Sequence, residues 1–271
     1  GKCVIILPGP PGELVPMFNE SVRGFLKKYS DGAIVSHTVN IIGMGESSVA
    51  EEIEDMFDAK NPTVAPYAKS GEVRLRITAK AETADEADKM CAPVVDEICS
   101  RLGDVVYGTD MNSIEERVVA LLKEKGKKIA TAESCTAGYI PKRLTDIPGA
   151  SEVFECGIVS YSNDIKTKLL GVSPKTLETY GAVSEQTARE MALGAKHVSG
   201  ADIAISTTGL AGPGGDGVLP GGLSFAAVTD GERTVVEKIV TGHENDREYN
   251  RYVTASRALN LARLMLEEKI K

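Results

Sequence analysis

Three stretches carry residue types that can do chemistry. The first is Ile129-Ala-Thr-Ala-Glu-Ser-Cys-Thr-Ala-Gly-Tyr139, in which an apolar run gives way to small and polar residues. The pattern predicts a strand over 128–132 and a helix over 134–146. That places Ser134, Cys135 and Thr136 at a helix N-terminus, where free backbone N–H groups make an anion or oxyanion site. Ser134 can then be a nucleophile, or simply the helix cap, a common use of serine. Cys135 is the rival nucleophile, because a helix N-terminus lowers a thiol pKa. It can equally be a small core residue.

The second stretch is Gly157-Ile-Val-Ser-Tyr-Ser-Asn-Asp-Ile-Lys166. A strand over 153–161 ends at Tyr161, and Lys166 falls about one turn into the helix that follows. A serine nucleophile needs a base, and no Ser-His-Asp order with recognisable spacing exists here. A lysine with a depressed pKa, or a Lys–Tyr pair, can replace histidine. The plain alternatives are a strand-end tyrosine and a solvated helix lysine. Tyr-x4-Lys also misses the Tyr-x3-Lys spacing of short-chain dehydrogenases.

The third stretch, Ser206-Thr-Thr-Gly-Leu-Ala-Gly-Pro-Gly-Gly-Asp-Gly217, is a glycine-rich loop after a buried strand. Its backbone N–H groups can approach a phosphate closely. No Gly-Lys-Ser/Thr closes it, so it is not a Walker loop. Arg247 and Arg251 lie four apart near the start of the last helix and can neutralise an anion or form surface ion pairs.

Alternating elements position these stretches. After a capping box at Ser113-Ile-Glu-Glu116, the order is strand (128–132), helix (134–146), strand (153–161), helices (164–179 and 184–199) and strand (202–207). Two hairpin strands (222–229, 233–241) and a long helix (245–269) complete it. This order predicts an α/β sandwich with a mixed sheet. Residues 31–108 read differently, as a small α+β unit. There, 33–42 and the strictly alternating 73–78 are strands, and 46–57 is a helix with Val49, Ile53, Met56 and Phe57 on one face. The capping box Thr83-Ala-Asp-Glu86 opens a helix to about 101, which Pro93 should kink or interrupt. Ahead of this lies a strand (3–7), a Pro/Gly loop and a helix (13–29). A strand there needs a partner from elsewhere in the chain or beyond it.

Composition narrows the function. The 271 residues carry a formal net charge of -8, with 42% hydrophobic and 26% charged residues. That apolar fraction excludes a disordered chain. A net acidic chain lacks the cationic footprint of a general nucleic-acid binder. No apolar run reaches the ~20 residues that span a bilayer. Five cysteines without CxxC spacing fit free thiols in a reducing, cytoplasmic compartment. Three scattered histidines offer no metal-binding pattern, so no metal and no cofactor is expected.

Taken together and in order, the motifs resemble the CinA (competence/damage-inducible) family. The resemblance rests on Thr131-Ala-Glu-Ser-Cys-Thr-Ala-Gly138, Tyr161-Ser-Asn163 with Lys166, Gly181-Ala-Val-Ser184, and Gly209-Leu-Ala-Gly-Pro213 with Gly221-Gly222. Ala137 stands where a second glycine often follows the threonine, and Gly221-Gly222 where Val-Gly is common. The resemblance implies that 109–271 is an amidohydrolase domain acting on nicotinamide mononucleotide. It implies Ser134, Tyr161 and Lys166 as catalytic residues. Substrate contacts are then expected from Cys135, Thr136, Asn163, Gly209, Ala211, Gly212 and Arg247. Residues 31–108 resemble the family's KH-like linker domain, and 1–30 the tail of a molybdopterin-binding-like domain. Most of that last domain is absent from this sequence, so its ADP-ribose pyrophosphatase activity is not carried over. The six acidic residues among Glu46–Asp58 oppose RNA binding by the KH-like unit, and no nucleic-acid partner is expected. The family also implies a homodimer. The competing readings are a pocket that binds nucleotide without turnover and, behind it, an ADP-ribose pyrophosphatase whose missing domain is supplied elsewhere.

Overall fold

The computed structural model describes residues 2–29 and 31–270. Its first elements are α1 (Pro11–Met17), a π-helical turn over Phe18–Val22 and α2 (Arg23–Lys27). The expected strand over 3–7 does not form. Residues 2–8 adopt no regular structure, and Val4 and Ile6 are exposed. A strand without a neighbour has no ladder to complete.

The second unit is a four-stranded antiparallel sheet with helices on one face. It runs β1 (Ala33–Ile42), α3 (Glu46–Glu52), β2 (Thr63–Lys69), β3 (Glu72–Ala81), α4 (Ala84–Leu102) and β4 (Val106–Thr109). The strand order is β2-β3-β1-β4. Alternation along β3 buries Val73, Leu75, Ile77 and Ala79. These pack with Val49, Ile53, Ala87, Cys91 and Ile98 from the helices in one apolar cluster. The capping box at Thr83 and Glu86 forms as expected, with both hydrogen bonds at 3.2 Å. Pro93 does not interrupt α4, which continues to Leu102. The expected helix over 46–57 stops at Glu52, and a 3-10 turn carries the chain on.

The remaining unit is a three-layer α/β/α domain. It comprises α5 (Ile114–Lys125), β5 (Ile129–Glu133), α6 (Tyr139–Thr145), β6 (Phe154–Val159), α7 (Asn163–Leu170), α8 (Pro174–Tyr180) and α9 (Glu185–Ser199). Then follow β7 (Ile203–Gly209), β8 (Leu223–Thr229), β9 (Thr234–Val240) and α10 (Arg247–Leu266). The sheet order is β6-β5-β7-β8-β9. The first three strands are parallel and the last two antiparallel, so the sheet is mixed as expected. Residues of α5, α6 and α10 fill one face with Ile129, Ile203 and Ile205. Leu170, Met191 and Ala195 fill the other with Ala130, Ala132 and Ala204. Two expected helix boundaries are corrected. The single helix over 164–179 is two, because left-handed Gly171 ends α7 and Pro174 opens α8. The helix expected from 134 begins only at Tyr139, after a turn in which Ala137 and Gly138 both have positive φ.

The two sheets meet through α10 and a buried carboxylate. Glu72, at the start of β3, accepts hydroxyl hydrogen bonds from Tyr107 at 3.0 Å and Tyr252 at 3.1 Å. Arg263, wholly buried, donates to the carbonyls of Asp104 (2.6 Å) and Val106 (3.3 Å). Among the described residues, no helix is long and apolar enough to cross a membrane.

Candidate active site

Strand order places the site. The chain leaves β5 to reach β6 on one side, and later returns to β7 on the other. The loops beyond β5 therefore diverge, and a crevice opens at the carboxyl end of the central parallel strand. In open α/β sheets, ligands bind at such a point. Ser134 is the first residue after β5. The turn is tied to both neighbours: Ser134 N–H donates to the Thr207 carbonyl at 2.9 Å, and Ser160 N–H to the Glu133 carbonyl at 2.8 Å.

Lys166 reaches this turn from α7. Ser162 caps the helix by accepting from Ile165 N–H. That turns Lys166 inward, where it is almost wholly buried. Its Nζ lies 3.1 Å from Ser134 Oγ and donates to the Ser160 carbonyl at 2.8 Å. Burial pulls the lysine pKa below its ordinary value, opposed by the nearby Cys135 sulfur. Desolvation disfavours the ammonium form, and no carboxylate within its hydrogen-bond shell restores it. A neutral amine beside a serine hydroxyl can accept that hydroxyl's proton.

The thiol competes poorly. Cys135 is buried, and desolvation pushes its pKa up to about 12. The helix N-terminus that would have lowered it starts four residues later, at Tyr139. The same shift of helix start removes Ser134 and Thr136 from the predicted N-terminal position. Thr136 is fully buried, with its hydroxyl 2.6 Å from that of Thr207. It braces the turn and does not line the crevice.

The crevice encloses about 320 Å³. Ser134, Cys135, Tyr161 and Lys166 form one wall, and Gly209, Ala211, Gly212 and Arg247 another. Gly209 and Gly212 serve by lacking a Cβ. A Cβ on Gly209 would overlap Ser224 in β8, and one on Gly212 would overlap the Glu244 carbonyl. Helix α10 holds this loop. Arg247 donates to the Gly212 carbonyl at 2.8 Å, and buried Asn250 to the Ala211 carbonyl at 2.9 Å.

The structure does not bring every expected residue here. Tyr161 lies two residues past the end of β6, and its side chain is 63% exposed at the crevice lip. Its carbonyl, not its phenol, faces Lys166, at 3.4 Å. Asn163 lines a separate depression with Pro174 and Leu177. Arg251 also stays out of the crevice and donates to the Thr136 carbonyl at 2.7 Å. Two features lie within the quoted motifs but were given no role there. Ala182, Val183 and Thr208 also line the crevice, with Thr208 Oγ donating to the Ala182 carbonyl at 2.6 Å. Glu133 is a wholly buried carboxyl at the end of β5, raised in pKa by desolvation. A lone acidic residue in an otherwise apolar and small strand was the available signal.

The fold and site define a class: a three-layer α/β domain with a serine–lysine pair at its switch point, joined to an antiparallel α+β unit. Residues 111–266 match the CinA C-terminal domain, and residues 36–108 the damage-inducible protein CinA KH domain. The chain belongs to the CinA family. It is 53% identical over 247 residues to a competence-damage inducible protein of Clostridium beijerinckii, covering 90% of this chain and 60% of that protein. It is 45% identical over 265 residues to a CinA-like protein of Desulfovibrio desulfuricans, covering 97% and 62%. The chain thus spans about three-fifths of these relatives' length. Among solved structures, a competence/damage inducible protein from Agrobacterium tumefaciens superposes with a TM-score of 0.54 at 38% identity. It covers 57% of this chain and 93% of its own.

Proposed function

We propose that this protein hydrolyses the carboxamide of nicotinamide mononucleotide, giving nicotinate mononucleotide and ammonia. The observation that carries the reading is the 3.1 Å approach of buried Lys166 Nζ to Ser134 Oγ at the floor of a crevice walled by a glycine-rich loop and Arg247. The family resemblance supplies the substrate.

The chemistry follows from those groups. Neutral Lys166 takes the Ser134 hydroxyl proton as Oγ attacks the amide carbon. The tetrahedral oxyanion is held by backbone N–H groups of the turn after Ser134. Ser134 N–H itself is bound to Thr207, so this task falls first to Cys135, which lines the crevice. Lys166, now an ammonium, returns the proton to the leaving nitrogen, and ammonia departs from an acyl-serine ester. Water, deprotonated by the same lysine, then releases the carboxylate and restores the serine. Arg247 and the Gly212–Gly215 backbone suit an anionic phosphate on the far side of the crevice. The phenol of Tyr161 stands at the lip, where it suits contact with the substrate ring more than relay of a proton.

The test is ammonia release from nicotinamide mononucleotide by the intact protein and by Ser134→Ala and Lys166→Met. Turnover in the parent, lost in both variants, is expected. Tight nucleotide binding without ammonia would instead favour a binding protein.

A further inference from the structure

The turn that carries the candidate nucleophile is conformationally costly. Ala137 has φ of 50°, a left-handed geometry disfavoured for any residue with a Cβ. Such a conformation persists only when the surroundings over-determine it. Two ionisable side chains outside the proton-transfer scheme supply that determination, one from each side.

From the sheet, Glu133 reaches across the turn. Its Oε2 accepts the Ile140 N–H at 3.2 Å; desolvation raises its pKa, opposed by the Thr136 hydroxyl and by the Tyr139 and Gly138 N–H groups. Its other oxygen is buried without a hydrogen-bond partner. From α10, Arg251 donates to the Thr136 carbonyl at 2.7 Å. Its guanidinium lies over the Tyr139 ring, 5.7 Å from the centroid. Its Nε is likewise buried and unpartnered. Arg251 therefore grips the middle of the turn and the first residue of the helix that follows it. It lines no part of the crevice.

We propose that Arg251, opposed by Glu133, is a positioning residue that clamps the Ser134–Gly138 turn, setting Ser134 Oγ against Lys166 and aiming the Cys135 N–H. This rests on the reading of Ser134 as the nucleophile. Arginine suits the task because one planar fork can donate to a carbonyl and stack on a ring together. A lysine can replace the donated hydrogen bond but not the stacked plane. Arg247, one turn earlier on the same helix, faces the crevice instead. Substrate binding and turn geometry thus depend on separate side chains of α10.

The experiment compares the full chain with its Arg251→Met, Arg251→Lys and Glu133→Gln variants. Two readouts are taken: steady-state ammonia release from nicotinamide mononucleotide, and the rate at which a fluorophosphonate labels Ser134. A displaced nucleophile costs on the order of 100-fold in rate. Arg251→Met should lower kcat by about that factor with KM nearly unchanged, since Arg247 and the loop remain. Labelling should slow in parallel. Arg251→Lys should recover part of both, and it carries the test alone if the Met variant does not fold. Glu133→Gln should fall between the parent and Arg251→Met. Parent-like kcat in Arg251→Met, or a loss lying wholly in KM, would overturn the proposal. If the parent releases no ammonia yet Arg251→Met still slows Ser134 labelling, the substrate assignment fails and the clamp stands. If parent turnover is lost in Ser134→Ala while Arg251→Met labels and turns over like the parent, the clamp fails alone.

Discussion

The two sheets bury polar groups in different ways. In the antiparallel unit, polar side chains near the core find partners: Asn40 donates to the Met111 carbonyl and accepts from Arg74, and Glu72 accepts from the two tyrosines. In the α/β domain, Thr131 Oγ, Glu133 Oε1, Ser160 Oγ and Arg251 Nε are buried with no partner, along with Arg257 Nε at the seam. Among the described residues, all five such atoms lie in residues 131–257 and none in the antiparallel unit. Glu133, Ser160 and Arg251 belong to the strand ends beside the turn after β5 or to the arginine that grips it, and Thr131 lies in the middle of β5. Unsatisfied buried polar atoms cost about 1–3 kcal/mol each, so a fold retains them where they serve something else. On the proposed function, chemistry falls to one sheet and support to the other.

The largest effect that can break this contrast comes from Lys166. Lys166→Met should lower turnover by about 10²–10⁴-fold, the usual range for losing a general base. In the parent, turnover should rise with pH as the lysine loses its proton. Because burial lowers that pKa, the rise should be complete below the ordinary lysine range. A flat pH–rate profile would remove the lysine from the mechanism.

Support should behave differently. Glu72→Leu removes the acceptor shared by the hydroxyls of Tyr107 and Tyr252 and should destabilise the protein by about 2–4 kcal/mol. The folded fraction should keep its turnover, which denaturant unfolding and active-site titration together would show. Gly209→Ala joins the two behaviours. Its Cβ meets Ser224, so overpacking should cost about 1–3 kcal/mol and the crevice wall should shift with it. Loss of both stability and affinity is expected, read by thermal unfolding and KM.

The smallest expected effect lies at His37. Its Nδ1 is 2.6 Å from Asp110 and its Nε2 2.8 Å from Asp88. The Asp110 hydrogen bond raises its pKa, against partial desolvation. A folded-state pKa above the unfolded one stabilises fully below the ordinary histidine value and is lost as pH rises through the raised value. His37→Gln should therefore lower unfolding stability most at acidic pH, by less than about 1 kcal/mol since both aspartates are about half exposed, as thermal unfolding at several pH values would show. An equal deficit at all pH values would contradict the assignment.

Much of this was legible in the sequence, and the failures have physical causes. The alternation of strands and helices after residue 110 gave the mixed sheet, and Thr83–Glu86 gave a real capping box. The β-α-β-β-α order of the small unit anticipated strand β2 but not its bounds, because Pro66 interrupts its alternation, which an edge strand tolerates. Strand β4, four residues long, is too short to show a period. The start of α6 was misplaced because nothing in Ser-Cys-Thr-Ala-Gly announces a left-handed alanine. At the site, residue types pointed to Ser134 and Lys166, but their contact arises only because β5 and β6 pair in parallel and bring their ends together. Spacing could not separate Arg247, in the crevice, from Arg251, behind it. Nor could it show that Asn163 faces another depression.

The central claim is that Ser134 and Lys166 form a hydrolytic pair in this crevice. Its most direct test is ammonia release from nicotinamide mononucleotide, measured side by side for the parent and Ser134→Ala. The account predicts steady ammonia production by the parent and a loss of at least about 10³-fold in the variant. Undiminished ammonia release by Ser134→Ala would contradict it.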